Sequence, residues 1–505
     1  MVFPGKKSAG NGREEGIREM GEDDNTVQEG NTGKNDIIKQ NGSIGQNGRE
    51  DQNNLTEGTI WRKILFFALP ILLGQIFQQL YNTFDSLIVG KFLGDQALAA
   101  VSSSGSLIFM LVGFFQGVAM GAAVIIAKEY GAKNYKVMRL ALHTDVAFGL
   151  AAGALLTVLG VVFTPTILRW MNTPADVLPQ SVEYFRFYFC GAIFTVMYNI
   201  FVGILQAVGD SRHPLYYLIL SSLVNVVLDL ILVGGFRFGV GAAALATTIS
   251  QGLSAILCLI QLLRSNGEYK LRLREIGFHL NSLKNIIRFG LPSGIQNSVI
   301  ALANLVVQTN INGFGQAAMA GCGAYFKIEG FAFLPVTCFA QALTTFVGQN
   351  LGAKRYDRVK KGVRFGMICS MSLAEVIGIT FWLLAPVLVG LFSNSQEVVT
   401  FGVRQARVEA LFYCMLAMAH CIAGIMRGAG KATVPMFTML GFWCVLRVVY
   451  ITAALHFYPD IRVVFSAYPL TWCSSCIVFL LYFLKADWMH NFERQEKKQT
   501  IIQSG

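Results

Sequence analysis

Tyr130-Gly131-Ala132-Lys133-Asn134-Tyr135 is written a second time as Leu351-Gly352-Ala353-Lys354-Arg355-Tyr356, and Gly209-Asp210-Ser211-Arg212-His213-Pro214 returns as Gly430-Lys431-Ala432-Thr433-Val434-Pro435. Gly131 to Gly352 and Gly209 to Gly430 are the same step of 221 residues. Phe67-Ala68-Leu69-Pro70 meets Phe289-Gly290-Leu291-Pro292 at a step one residue longer, and Gly94 to Ala97 meets Gly315 to Ala318. Solenoid repeats run ~20 to 50 residues, so a period this long marks a duplicated domain. In a chain this apolar, two copies of one helical half are the architecture of a transporter whose lobes enclose a central path.

The chain has 505 residues, 53% of them hydrophobic and 14% charged, with a mean hydropathy of +0.50. A soluble globule needs about 25% charged residues, so this is a polytopic membrane protein. Runs such as Ile64 to Val89, Ala99 to Ala127, Tyr216 to Gly234 and Val434 to Leu455 suffice for the ~20 residues that a helix needs to cross a bilayer. Sustained alternation of period two is missing, which argues against a transmembrane barrel. Spans are predicted near 62–90, 97–126, 140–165, 184–208, 214–235 and 239–263, then 284–313, 317–348, 362–392, 403–426, 434–456 and 463–485. The expected fold is therefore all-α, with twelve transmembrane helices in two homologous six-helix lobes, 58–265 and 284–486, joined by a linker at 266–283.

The net charge of +11 does not point to nucleic acid, because the basic residues sit between apolar segments. Alternate loops carry them: Lys128, Lys133, Lys136 and Arg139; Arg264, Lys270, Arg272, Arg274 and Lys284; Lys354, Arg355, Arg358, Lys360, Lys361 and Arg364. The positive-inside rule then places those loops and both termini in the cytoplasm. With an even number of spans per half, the lobes are parallel repeats about an axis along the membrane normal. Residues 1–57 are rich in Gly, Asn, Glu and Gln and read as a disordered tail without an apolar signal region. Residues 487–505 read as a second cytoplasmic tail. Cys473 and Cys476 have CxxC spacing, but they lie in a membrane helix without a second pair, and small packing residues are the expectation. The chain has six histidines and no HExxH, so a metal enzyme has no support.

Charge inside a membrane helix costs roughly 2.5–3.5 kcal/mol on insertion scales and tends to face a cavity or an ion path. The candidates are Asp85, Asp145, Asp229, Lys327, Glu329, Glu375, Glu409 and Arg447. Asn225 and Asp229 are four apart and share a helix face, so a carboxylate and an amide carbonyl can converge on one cation. Asp229 falls ~22 Å along the fifth span and Thr247 ~12 Å down the sixth, in the same half of the bilayer as Asp85. The repeat provides a control: the steps of 221 and 222 residues carry Asp229 to Tyr450, Thr247 to Tyr468 and Asp85 to Val307. Acids needed only to fold a lobe should occur in both, so their restriction to one favours a specialised site. Glu329, Glu375 and Arg447 form a secondary polar candidate in the other lobe, with a structural ion pair as its rival reading. Asp145 and Glu409 stand nearer span ends, where contact with water is expected.

Together these residues resemble the multidrug and toxic compound extrusion (MATE) family over about 58–485. The likeness rests on Leu69-Pro70 with Asp85 and Val89-Gly90 after it, Asn225-xxx-Asp229, Gly241-Ala242-Ala243 running to Ala246-Thr247, the paired Gly-Ala-Lys loops, Phe346-Val347-Gly348-Gln349-Asn350, and Arg427-Gly428-Ala429-Gly430. The resemblance implies an antiporter that exports cationic or amphipathic compounds against an inward flow of Na+ or H+. It needs no other cofactor, no metal beyond Na+ at Asp85, Asn225, Asp229 and Thr247, and no partner besides its substrates and the lipid bilayer. A monomer in a bacterial plasma membrane is expected. Some members use carboxylates in the seventh and tenth helices instead, but this chain has no acid between Ile286 and Gly313 and has Leu416 at the tenth-helix position.

Two other classes compete. A lipid-linked oligosaccharide flippase of the same superfamily needs cationic cavity residues for diphosphate, and only Arg447 and Lys327 qualify. An ATP-driven pump or embedded enzyme lacks its machinery: around Gly430-Lys431, Ile425 stands where a phosphate loop begins with Gly, and Ala432 follows the lysine.

Overall fold

The computed structural model describes residues 54–495 apart from 171, 172 and 176, and every regular element among them is helical. The predicted tail lies outside the described residues up to 53. Its last residues are folded: Leu55 and Thr56 are 2% and 4% exposed. The second tail also begins as packed chain, with Trp488 and Phe492 buried.

The helices are α1 (Ile60–Leu93), α2 (Asp95–Gly131), α3 (Tyr135–Trp170), α4 in two pieces (Leu178–Cys190 and Ala192–Ala207), α5 (Arg212–Gly235), α6 (Val240–Arg264), α7 (Leu280–Asn312), α8 (Gln316–Gly352), α9 (Tyr356–Gly390), α10 (Gln396–Gly428), α11 (Thr433–Phe457) and α12 (Ile461–Lys485). Eleven are long and apolar enough to cross a bilayer unaided, and α4 makes a twelfth when its halves, bent by 46°, count as one. The sequence predicts one span here, near 184–208. Its break falls at Gly191, where a side chain would strike Thr248 of α6 at 2.3 Å. Pro70 and Pro292 sit inside unbroken helices.

The duplication is visible in the backbone. Positive φ occurs at Gly94 and Gly315, at Gly209 and Gly430, and at Lys133 and Lys354, each pair 221 residues apart. A left-handed lysine is unusual for a residue with a Cβ, and here it recurs in both Gly-Ala-Lys turns. The turn follows from helix termination: Asn134 N donates to Glu129 O at 2.9 Å, and Arg355 N donates to Asn350 O at 2.8 Å.

The lobes meet along α2 and α7. Gly113, Gly117 and Gly121 recur every fourth residue on α2, opposite Gly290 and Gly294 on α7. A Cβ on Gly117 would lie 2.4 Å from Gly294 N, and one on Gly121 2.2 Å from Gly290 N, so the backbones touch. Toward the end that carries the basic loops, hereafter the basic end, α1 and α8 close the second seam. Cys338 Sγ donates to Ala68 O at 2.9 Å, and Thr337 Oγ1 to Gln75 Oε1 at 2.9 Å. At the basic end itself the two Gly-Ala-Lys turns interlock: a Cβ on Gly131 would lie 1.9 Å from Gln349 O, and one on Gly352 2.0 Å from Lys128 O.

Candidate functional site

Asp85 on α1 and Asp229 on α5 come together. They are 7% and 0% exposed, and their carboxyl groups are placed to hydrogen-bond each other. Ionised carboxylates only accept, so that contact is a bond only when a proton is shared between them. Without it, both oxygens of Asp229 and Oδ1 of Asp85 have no donor. Asn225, one turn before Asp229, is fully buried, and neither its Oδ1 nor its Nδ2 has a partner. Burying so many unmatched polar atoms is costly. The carboxylate and amide oxygens gathered here are chemically able to accept a small cation or a proton.

Local structure fixes the site. A π-helical turn, Leu230–Gly235, begins directly after Asp229, and such turns frequently accompany functional residues. Tyr81 lies one turn before Asp85 on α1, and its hydroxyl accepts from Gln251 Nε2 of α6 at 3.3 Å. Tyr81 and Tyr184 are within electrostatic range of both carboxyls, and the Tyr184 and Tyr188 rings stack at 6.4 Å. These three tyrosines and Gln251 were not among the sequence candidates. The signal for Tyr81 was its spacing of four from Asp85, which puts both on one helix face. Thr247 is half-buried, and no hydrogen bond ties it to either carboxyl among the described residues. Asp85, Asp229 and Asn225 thus all carry buried polar atoms without a hydrogen-bond partner.

The other lobe holds a second acidic pair, with a membership different from the prediction. Glu329 of α8 and Glu409 of α10, 4% and 0% exposed, are also placed for a carboxyl–carboxyl hydrogen bond. Gln405 Nε2 donates to Glu409 Oε1 at 3.0 Å, and the Tyr325 and Tyr413 hydroxyls lie 2.7 Å apart beside Glu329. Glu375 is elsewhere: it accepts from the Cys414 amide at 3.2 Å. Lys327 is exposed and lies over the Phe392 ring. Glu409 and Asp145, expected near water, are both buried. Arg447 follows a second π-helical stretch, Leu440–Leu446. Its guanidinium donates to Asn304 Oδ1 at 3.3 Å and Thr471 Oγ1 at 3.2 Å and lies 4.4 Å over the Tyr468 ring. The hydrogen-bond partners of Arg447 are thus neutral, while Glu329 and Glu409 both lie within electrostatic range of its guanidinium.

A cavity of about 530 Å³ opens at the basic end between the two Gly-Ala-Lys turns, away from both carboxyl pairs. Among the described residues no cluster of His, Cys, Asp and Glu could hold a metal through three or more ligands.

Comparison with known proteins agrees with this architecture. The sequence model described as MatE matches twice, over residues 70–231 and 292–451, once per lobe. The probable multidrug resistance protein YoeA of Bacillus subtilis is 28% identical over 435 residues, covering 84% of this chain and 94% of that protein. The probable multidrug resistance protein NorM of Thermotoga maritima is 26% identical over 389 residues, covering 76% and 83%. Among solved structures, the outward-facing conformation of a multidrug resistance MATE family transporter superposes with a TM-score of 0.80 at 22% identity, covering 85% of this chain and 96% of that one. The doubled match, the two six-helix lobes and the membrane-length helices place the chain in the MATE family of efflux transporters.

Proposed function

We propose that the protein is a secondary antiporter that exports cationic or amphipathic compounds across a bacterial plasma membrane in exchange for H+ or Na+, with the basic end cytoplasmic. The observation that carries this reading is the buried contact between Asp85 and Asp229. A cation entering the pair neutralises it and changes which lobe packing is favoured, and drug release is tied to that change. Two buried carboxyls in interaction range of each other suit H+, while the unpartnered oxygen of Asn225 suits Na+. The relatives' names, which concern multidrug resistance, support the substrate class. The test is efflux of ethidium from liposomes under a pH gradient or a Na+ gradient imposed separately. Flux under one gradient identifies the coupling ion; flux under neither, from folded protein, would turn attention to the lipid-linked oligosaccharide flippase.

Glu409 motivates extending this reading to the second lobe. Glu409→Gln keeps the shape and removes the ionisable oxygen, and is expected to slow export by about tenfold, the effect of losing one hydrogen bond to a charged group. Glu375→Gln, which keeps an acceptor for the Cys414 amide, should export at the original rate. Equal flux in the two variants would reduce the second pair to packing.

A further inference from the structure

The short segment 54–58 belongs to the first lobe by chain, since α1 follows it, and to the second lobe by hydrogen bonds. Arg358 of α9 donates to Leu55 O from Nε at 3.2 Å and from Nη2 at 3.1 Å, to Glu57 O at 2.8 Å and to Gly58 O at 2.6 Å. Arg355 donates to Thr56 O at 2.7 Å, and Asn350 Nδ2 to Leu55 O at 3.3 Å. The Leu55 side chain packs in the apolar core with Ile64, Phe67 and Phe346. Asn54 closes the turn, accepting from both Thr56 N and Thr56 Oγ1. Four backbone carbonyls captured by two arginines make this a built strap.

The Glu57 carboxylate also pairs with Arg355 at 3.5 Å, but the bond made by the Leu55 amide is the informative one. Leu55 N donates to Gln349 Oε1 at 3.1 Å, and Gln349 Nε2 then donates across the lobe boundary to Ala207 O, at the end of α4, at 2.7 Å. Gln349 is fully buried. With its oxygen committed to the strap, the carboxamide can present only its NH2 to the first lobe; flipped, it would set carbonyl against carbonyl and N–H against NH2. The bond sits where Gly131 touches the Gln349 backbone and Gly352 touches Lys128. Transport by alternating access requires the lobes to part at each end in turn, and this seam must separate for the basic end to open.

We propose that the strap at 54–58 is a latch on the inner gate and that Gln349 is its positioning residue, holding the lobes together through Ala207 until the transporter turns inward. The inference rests on the antiport reading only in taking the basic end as the cytoplasmic gate. Opening costs the Ala207 bond, so loosening the strap or removing the Gln349 NH2 shifts the protein toward the inward-open form. Gln349→Glu separates the two bonds, because a carboxylate still accepts from Leu55 N but cannot donate to Ala207 O.

The test combines hydrogen exchange and transport on the full chain in liposomes, with Leu55→Asp, Gln349→Ala and Gln349→Glu. All three should speed amide exchange at residues 203–210 and 345–356 by about fivefold, the value of one ordinary hydrogen bond. They should also lower the KM for ethidium taken up at the basic side while lowering kcat. General destabilisation lowers the amount of active protein, and with it kcat, and leaves KM unchanged. Wild-type exchange and KM in Gln349→Ala and Gln349→Glu, in protein that elutes as a single folded species, overturn the latch. Should Leu55→Asp fail to fold, the two Gln349 variants still decide. Exchange is read without any gradient, so an absence of ethidium flux in every sample would count against the antiport reading and leave the latch to be judged on exchange alone.

Discussion

Replacing Asp229 with Asn is expected to abolish coupled export, by more than about a hundredfold, because an ion that no longer distinguishes two conformations cannot shift their populations. The substitution keeps volume and the ability to hydrogen-bond within a fully buried site, so folding and insertion should survive. What disappears is the capacity to carry a negative charge and to be neutralised by an entering cation. Asp85→Asn should have the same effect, and the double variant should be no worse than either single one, since the two carboxyls work as one unit. In a detergent binding assay with ethidium, the original protein should bind more tightly as pH rises, because the carboxyl pair loses its proton to solvent and its negative charge then favours the cationic compound. Asp229→Asn should show a flat pH response. Efflux from both single variants at the original rate would remove the pair from the mechanism. Loss of efflux together with loss of a folded elution peak would mean that the pair is structural.

The duplication, the all-helical class and the presence of about twelve spans were legible because each rests on composition or on repeated letters. Asp85 and Asp229 were legible for a related reason: charge in an apolar helix is expensive enough to stand out, and the absence of counterparts at Val307 and Tyr450 separated them from scaffold. Two features escaped. The bend in α4 falls at Gly191, where Thr248 of α6 leaves no room for a side chain, a close approach between helices that no local pattern records. Glu409 was read as an end-of-span residue because depth was judged along α10 alone; its burial comes from α8 beside it. The 221-residue step does carry Tyr184 and Tyr188 onto Gln405 and Glu409, so the second pair uses the helix faces that in the first lobe bear two tyrosines.

Gly121→Leu should produce the largest loss of stability in the molecule. The glycines at 113, 117 and 121 form a smooth stripe on α2, and Gly290 and Gly294 form its partner on α7. In a bilayer there is little hydrophobic gain from joining helices, so close backbone packing between small residues carries the association. A Cβ on Gly121 would lie 2.2 Å from Gly290 N and 2.3 Å from its Cα, and neither atom can move without moving α7. The added side chain therefore separates the helices along their whole contact, costing more than the ~1–3 kcal/mol of ordinary overpacking. Gly323→Leu is the control: nothing lies within 4 Å of a Cβ there, and it too replaces a glycine within a long helix. Thermal unfolding followed by size exclusion should show Gly121→Leu aggregating or melting far below the original protein, and Gly323→Leu melting beside it. Equal melting of the two variants would mean that the lobes are held by the α1–α8 seam and the strap, with the α2–α7 stripe incidental.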